Sequence, residues 1–184
     1  MIDAAQQEDA SVDGALIGQW KAGDQRAATA IVERHAAALA RFAARLGVRH
    51  DIDEVVQDTF IRAFSALESF RADSSLRTWL FTIARRLVID RQRAQARQRG
   101  SVELDDNHAA TEYDALDTLM ADEVSARVAR AMARLTRMQR EVFTLRVQEG
   151  RSYRDIAEIL GSTEGAARVH YHNALRAVKE FLDD

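Results

Sequence analysis

The chain has no cysteine and no proline. Without cysteine, neither a disulfide framework nor a thiolate metal site can form, which agrees with a reducing compartment such as the cytoplasm. Without proline, and with only 8 glycines in 184 residues, the backbone favours helices broken by short turns. Long apolar runs are also missing. No stretch approaches the roughly 18 apolar residues of a membrane span. The opening "MIDAAQQEDASVDGALIGQW" is acidic and has no apolar centre, so it does not read as a signal peptide. No Ser/His/Asp set, paired carboxylate cleft, glycine-rich phosphate loop or metal-ligand cluster stands out. No enzyme, cofactor or metal site is expected.

Hydrophobic residues make up 47% of the chain, enough to bury a core, and 30% of residues are charged. The net charge of −3 hides an uneven distribution. Residues 1–61 carry 6 basic and 10 acidic side chains, and residues 62–99 carry 9 and 3. Residues 100–126 carry 8 acids and no base, and residues 127–184 carry 11 bases and 8 acids. Two positive blocks therefore flank one strongly negative segment. Of the 26 basic residues, 24 are Arg, the better bidentate partner for phosphates and base edges. A GC-rich coding sequence explains such an excess equally well, so position carries more meaning than number.

Periodicity points to helices throughout. "DIDEVVQDTFIRAFSALESF", 51–70, keeps an i, i+3, i+4, i+7 stripe of Ile52, Val55, Val56, Phe60, Ala63, Phe64 and Leu67. Asp51 is its candidate cap, with Glu54 as the capping-box partner. A shorter helix is expected over 12–21, and another from Asp24 to Leu46, ended by Gly47. Ser74 or Ser75 caps a long helix reaching about Arg97, with a core-facing line of Leu76, Leu80, Ile83 and Leu87. These four helices make a first domain, over 1–97. Periodicity then vanishes in the acidic stretch 98–118, which reads as a flexible linker. A stripe of Leu119, Val124, Val128, Met132 and Leu135 opens a second domain, over 119–184. The expected fold is all-α: a four-helix N-terminal domain and a C-terminal helix-turn-helix domain joined by an acidic linker.

The helix-turn-helix expectation rests on 152–175, "SYRDIAEILGSTEGAARVHYHNAL". Ser152 starts a short helix. Ala157 is small where a second helix crosses, Gly161 permits a left-handed turn, and Thr163 and Glu164 open the next helix. In such a motif the first helix braces and the second projects Arg168, His172 and Asn173 into a major groove. An ordinary helical hairpin has the same outline. His170 and His172 are two residues apart, on different sides of a helix, and do not form a helical metal pair.

"SSLRTWLFTIARRLVIDRQR", 74–93, poses a puzzle, because it places Trp79 and Phe81 on the helix that carries Arg77, Arg85, Arg86, Arg91 and Arg93. Opposite the leucine line, Phe81 and Arg85 are the exposed candidates, while Trp79 sits nearer the core edge as a packing residue.

With both halves quoted, a resemblance emerges. "DEVVQDTFIRAFSALESFRADSSLRTWLFTIARRLVIDRQR" resembles region two, and "LTRMQREVFTLRVQEGRSYRDIAEILGSTEGAARVHYHNALRAV" region four, of an extracytoplasmic-function (ECF) sigma factor of the sigma-70 family. The resemblance implies a promoter-specificity subunit with core RNA polymerase, promoter DNA and an anti-sigma factor as partners. It implies polymerase contacts at Asp53, Glu54, Gln57 and Asp58. For −10 DNA it implies Phe70, Arg71, Ser74 and Ser75 of a base-accepting loop, with Phe81, Arg85, Arg86 and Arg93. For −35 DNA it implies Arg168, Val169, His172 and Asn173 at bases, with His170 and Arg176 at phosphates. The linker is then expected to thread the polymerase cleft. The chain departs from the family pattern in having Arg86 for the usual Asn, and Ala167, His170 and Asn173 in an atypical reading head. It also lacks the usual Pro before the region-four helix, where it has "LTRMQ". Two alternatives stand beside it: a free-standing helix-turn-helix regulator, and a helical protein-interaction module that never meets DNA.

Overall fold

The computed structural model describes residues 4–48, 51–70, 72–98 and 123–183. Eight α-helices and no strand are found among them. They are α1 (Ala4–Lys21), α2 (Gln25–Arg45), α3 (Ile52–Ala66), α4 (Leu76–Gln98), α5 (Glu123–Ala133), α6 (Arg137–Phe143), α7 (Tyr153–Leu160) and α8 (Glu164–Asp183). A 3-10 turn, Leu67–Ser69, follows α3, and a π-helical turn, Thr144–Gln148, follows α6. Contacts divide the chain into two compact units, residues 1–44 with 48–88, and residues 45–47 with 89–184. No helix among the described residues is long and apolar enough to cross a membrane. The linker 98–118, apart from Gln98, lies outside the described residues, as do Arg71 and Leu119.

The first unit buries Ile31, Leu39 and Phe42 of α2, Val55, Phe60 and Ala63 of α3, and Leu76, Leu80, Phe81, Leu87 and Val88 of α4. α1 begins eight residues before the expected 12–21 helix. It has a weak apolar face, burying Ile17 and the charged Asp13. Asp13 accepts from His35 Nε2 at 3.1 Å and from Arg34 Nε at 3.2 Å, so a buried ionic clasp attaches α1 to α2. Burial opposes ionisation of Asp13. The hydrogen bonds and charges of His35 and Arg34 outweigh it and hold the carboxyl below its ordinary range.

Capping of α3 departs from expectation. Asp51 sits at φ 67°, in the left-handed region, and makes no side-chain capping bond, so the anticipated capping box with Glu54 does not form. Ser75 does cap α4, accepting from the Thr78 N–H at 3.1 Å.

In the second unit, Ala131, Met132, Leu135, Phe143, Ala174 and Val178 form one core. The buried Arg140 closes the end of α5, donating to the carbonyls of Met132 (2.9 Å), Ala133 (3.1 Å) and Leu135 (3.2 Å). Met132 and Ala133 belong to the last turn of α5, whose carbonyls lack the regular i+4 helical partner, and Leu135 to the turn that follows. Thr136 and Gln139 form a full capping box at the start of α6, at the place where the resemblance expects Pro. The expected single helix over "MQREVFTLRVQEG" is α6 followed by the π turn, closed by Glu149 N–H to the Thr144 carbonyl at 3.2 Å.

Candidate nucleic-acid interface

The puzzle of α4 resolves differently from its helical wheel. Phe81, expected on the solvent side, is 0% exposed. Its ring centroid lies 4.8 Å from that of Phe42, and the Arg77 guanidinium lies 5.8 Å from it. The cause is a pair of threonines that look polar in sequence. Thr82 Oγ1 donates to the Thr78 carbonyl at 3.0 Å, and the Thr78 and Ser75 hydroxyls are 2.9 Å apart. Hydroxyls bonded locally are cheap to bury, so α4 is enclosed on nearly every side from Leu76 to Val88. Ile83, expected in the core line, is only half-buried.

What faces out is a narrow stripe. Trp79 is half-buried and Arg86 exposed, seven residues apart on one side of the helix. The Phe70 ring packs on Trp79 with centroids 5.0 Å apart. Ser74 and Ser75 are half-buried, and Ala72 and Asp73 exposed, with Ala72 at φ 58°. The described residues of this turn are therefore half-buried or exposed, and its Phe70 packs against the ring of Trp79. Arg85 is half-buried and engaged in contacts of its own, while Arg93 is exposed. Trp79, expected at the core edge as a packing residue, does pack there on Phe70, and its half-buried ring remains partly accessible. The seven-residue spacing from Trp79 to Arg86 was the available signal of that access.

On α3, Asp53, Glu54 and Gln57 are exposed and Asp58 half-buried. Asp53 and Gln57 border a groove of about 350 Å³ whose apolar lining is Val32, Val56, Phe60, Ile61 and Phe64. Ile61 is 56% exposed and continuous with this apolar lining, so it extends the patch rather than standing alone. Trp20 of α1 packs on Phe64 with centroids 5.7 Å apart. The sequence reading found the acidic rim and missed this floor, although Ile61 falls outside the core stripe and so announced itself.

The helix-turn-helix is assembled as its residues require. Ser152 and Asp155 form a capping box at the start of α7. Gly161 is at φ 64°, and Ser162 N–H closes on the Ala157 carbonyl at 2.9 Å. Thr163 Oγ1 accepts from Ala166 N–H at 3.1 Å, capping α8. Ala167 and Ala174 are fully buried, seven residues apart, which turns the opposite side of α8 to solvent. There Arg168, His172 and Arg176 are exposed at successive four-residue steps, with Val169 beside them at 58% exposure. His170 and Asn173 are half-buried. Arg168 is ion-paired with Glu164 at 3.2 Å and lies 5.0 Å from the centroid of the Tyr153 ring.

Comparison with known proteins gives these surfaces a family. Residues 31–98 match Sigma-70 region 2, and residues 125–178 match Sigma-70, region 4. The chain is 30% identical over 176 residues to the ECF RNA polymerase sigma-E factor of Haemophilus influenzae, covering 91% of this chain and 93% of that protein. It is 32% identical over 175 residues to the sigma-E factor of Escherichia coli K12, covering 90% and 92%. Among solved structures, CnrH in complex with the cytosolic domain of CnrY matches with a TM-score of 0.67 at 32% identity, over 94% of this chain and 97% of that one. The sigma factor RpoE from Bartonella quintana, in complex with the anti-sigma factor NepR, matches with a TM-score of 0.66 at 27% identity, over 84% and 96%. The chain belongs to the ECF class of sigma-70 RNA polymerase sigma factors. A free-standing helix-turn-helix regulator accounts for α7 and α8 but leaves the region 2 match without a role.

Proposed function

We propose that the two halves of this sigma factor engage separate stretches of one promoter, with residues 1–97 at the polymerase and the −10 element, residues 98–118 as tether, and residues 119–184 at the −35 element. Asp53, Glu54, Gln57 and Asp58 dock on core RNA polymerase, with the apolar groove beside Ile61 as the floor of that contact. The 70–75 turn, with Phe70, Arg71, Ser74 and Ser75, receives a base from the opened −10 strand. Trp79 takes the place first given to Phe81, and Arg85, Arg86 and Arg93 hold phosphates. Stacking on an aromatic or guanidinium plane contributes about 1–3 kcal/mol per base. That is comparable to the few kcal/mol needed to unstack one, so one or two stacked bases with arginine contacts offset local opening. On α8, Arg168, Val169, His172 and Asn173 meet base edges, and His170 and Arg176 meet phosphates. Arg168 suits a guanine, which offers O6 and N7 together.

The observation that carries this is the exposed Arg168–His172–Arg176 face on the second helix of a capped helix-turn-helix, in a chain that also matches region 2. The protein works as a non-catalytic subunit in the cytoplasm. An anti-sigma factor is a further partner, supported by the RpoE relative solved with NepR. Run-off transcription with core polymerase and a genomic promoter library tests the proposal. Promoter-specific start sites are expected, and they disappear in Q57A/I61D, which spoils the docking groove. Absence of specific transcripts from the wild-type chain overturns it; DNA binding without polymerase then points to the free-standing regulator.

A further inference from the structure

Tyr153, the first residue of α7, has no role in the assignments above. It is half-buried, and two guanidinium groups lie over its ring, Arg146 at 4.9 Å and Arg168 at 5.0 Å from the centroid. Arg146 belongs to the π turn and is anchored, donating to the Arg151 carbonyl at 2.9 Å. Tyr171 meets Tyr153 edge-on at 6.0 Å and stacks on Phe143 of the core at 6.3 Å. A continuous line of rings therefore runs from the core to the Arg168 side chain. An exposed arginine ordinarily samples many rotamers, whereas an aromatic face beneath the guanidinium and a carboxylate four residues back bias it toward one. Glu164 takes one of the Arg168 donors, and the others remain for a base edge.

We propose that Tyr153 is a positioning residue for promoter discrimination: its ring holds the Arg168 guanidinium in one reach from α8, and preference at the base pair Arg168 meets depends on that ring. This rests on the assignment of Arg168 to the −35 element, so its test separates the two.

Holoenzyme reconstituted from the full chain and core polymerase selects duplexes randomised across the −35 element. The wild type shows a guanine preference at one position that R168A flattens. Y153M fills the volume without a π face and lowers that same preference about tenfold, leaving other positions unchanged. Y153F keeps the ring and retains it. If R168A leaves every preference intact, the assignment of Arg168 falls and the proposal with it. If R168A flattens a position that Y153M leaves intact, the proposal alone is overturned. Equal loss in Y153M and Y153F places the effect in the hydroxyl and also overturns it. Should Y153M fail to fold, the Arg168 Nε–H resonance of the free wild-type and Y153F chains decides. A ring-current displacement is expected in both, and an undisplaced signal overturns the proposal.

Discussion

Phe81 and Trp79 stand two residues apart on one helix and meet opposite fates. Phe81 is enclosed against Phe42, and Trp79 reaches the surface over Phe70. Truncating a fully buried phenylalanine removes its transfer free energy and leaves a cavity. F81A is expected to destabilise the protein by about 3–4 kcal/mol in urea unfolding followed by far-UV circular dichroism. W79A is expected to cost less than half of that, yet to reduce permanganate-reactive promoter opening in the holoenzyme. Loss of opening in a stable F81L variant, with W79A behaving as wild type, reverses the assignment. The error on the helical wheel has a simple source. Thr78 and Thr82 count as polar in any pattern of hydrophobicity, but their hydroxyls bond within the helix and its first turn, so they line the core rather than marking a wet face.

At the scale of elements, α1 shows how a helix with little apolar surface is kept in place. Asp13 joins it to His35 and Arg34 of α2, and Asp9 adds an exposed bond to Arg34 at 2.9 Å. Because Asp13 is held below its ordinary value of 3.8 when folded, its ionised form favours the folded state. That contribution is complete above about pH 4 and is lost as pH falls through the folded value. D13N lacks the charge at every pH. Its stability is expected to lie below the wild type by about 2 kcal/mol at neutral pH, and the two curves are expected to converge in acid, as followed by urea unfolding from pH 7 to pH 2. A constant gap across that range removes the ionic account of the clasp. The sequence placed α2 to within a residue at each end but shortened α1, because a helix attached through a buried carboxylate offers no apolar period to read.

For the whole molecule the uneven charge is the governing quantity. The basic block 62–99 has 9 Arg against 3 acids, and Arg86 and Arg93 stand exposed within it. Each phosphate neutralised releases counterions, so affinity falls with salt in proportion to the contacts made. R86A/R93A is expected to weaken holoenzyme binding across promoter sequences alike, and to lower the slope of log K against log salt by about 1.8. An unchanged slope takes both residues out of the DNA interface.

The sequence by itself determined the helical class, the Gly161 turn, the Ser152 and Thr163 helix starts and the outward Arg168 and His172 of α8. Each is a local matter: a cap binds three residues on, a left-handed turn wants glycine, and periodicity selects a face. It left the α4 cap between Ser74 and Ser75 and placed Asn173, which is half-buried, on the same face as Arg168 and His172. Tertiary structure decided what depends on neighbours distant in the chain. It enclosed Phe81 and left Trp79 half-buried, opened an apolar groove beside Ile61, replaced the end of the expected α6 by a π turn, and brought Arg146 of that turn over the Tyr153 ring. Burial depends on how many other helices surround a position, and no pattern within a single helix records that number.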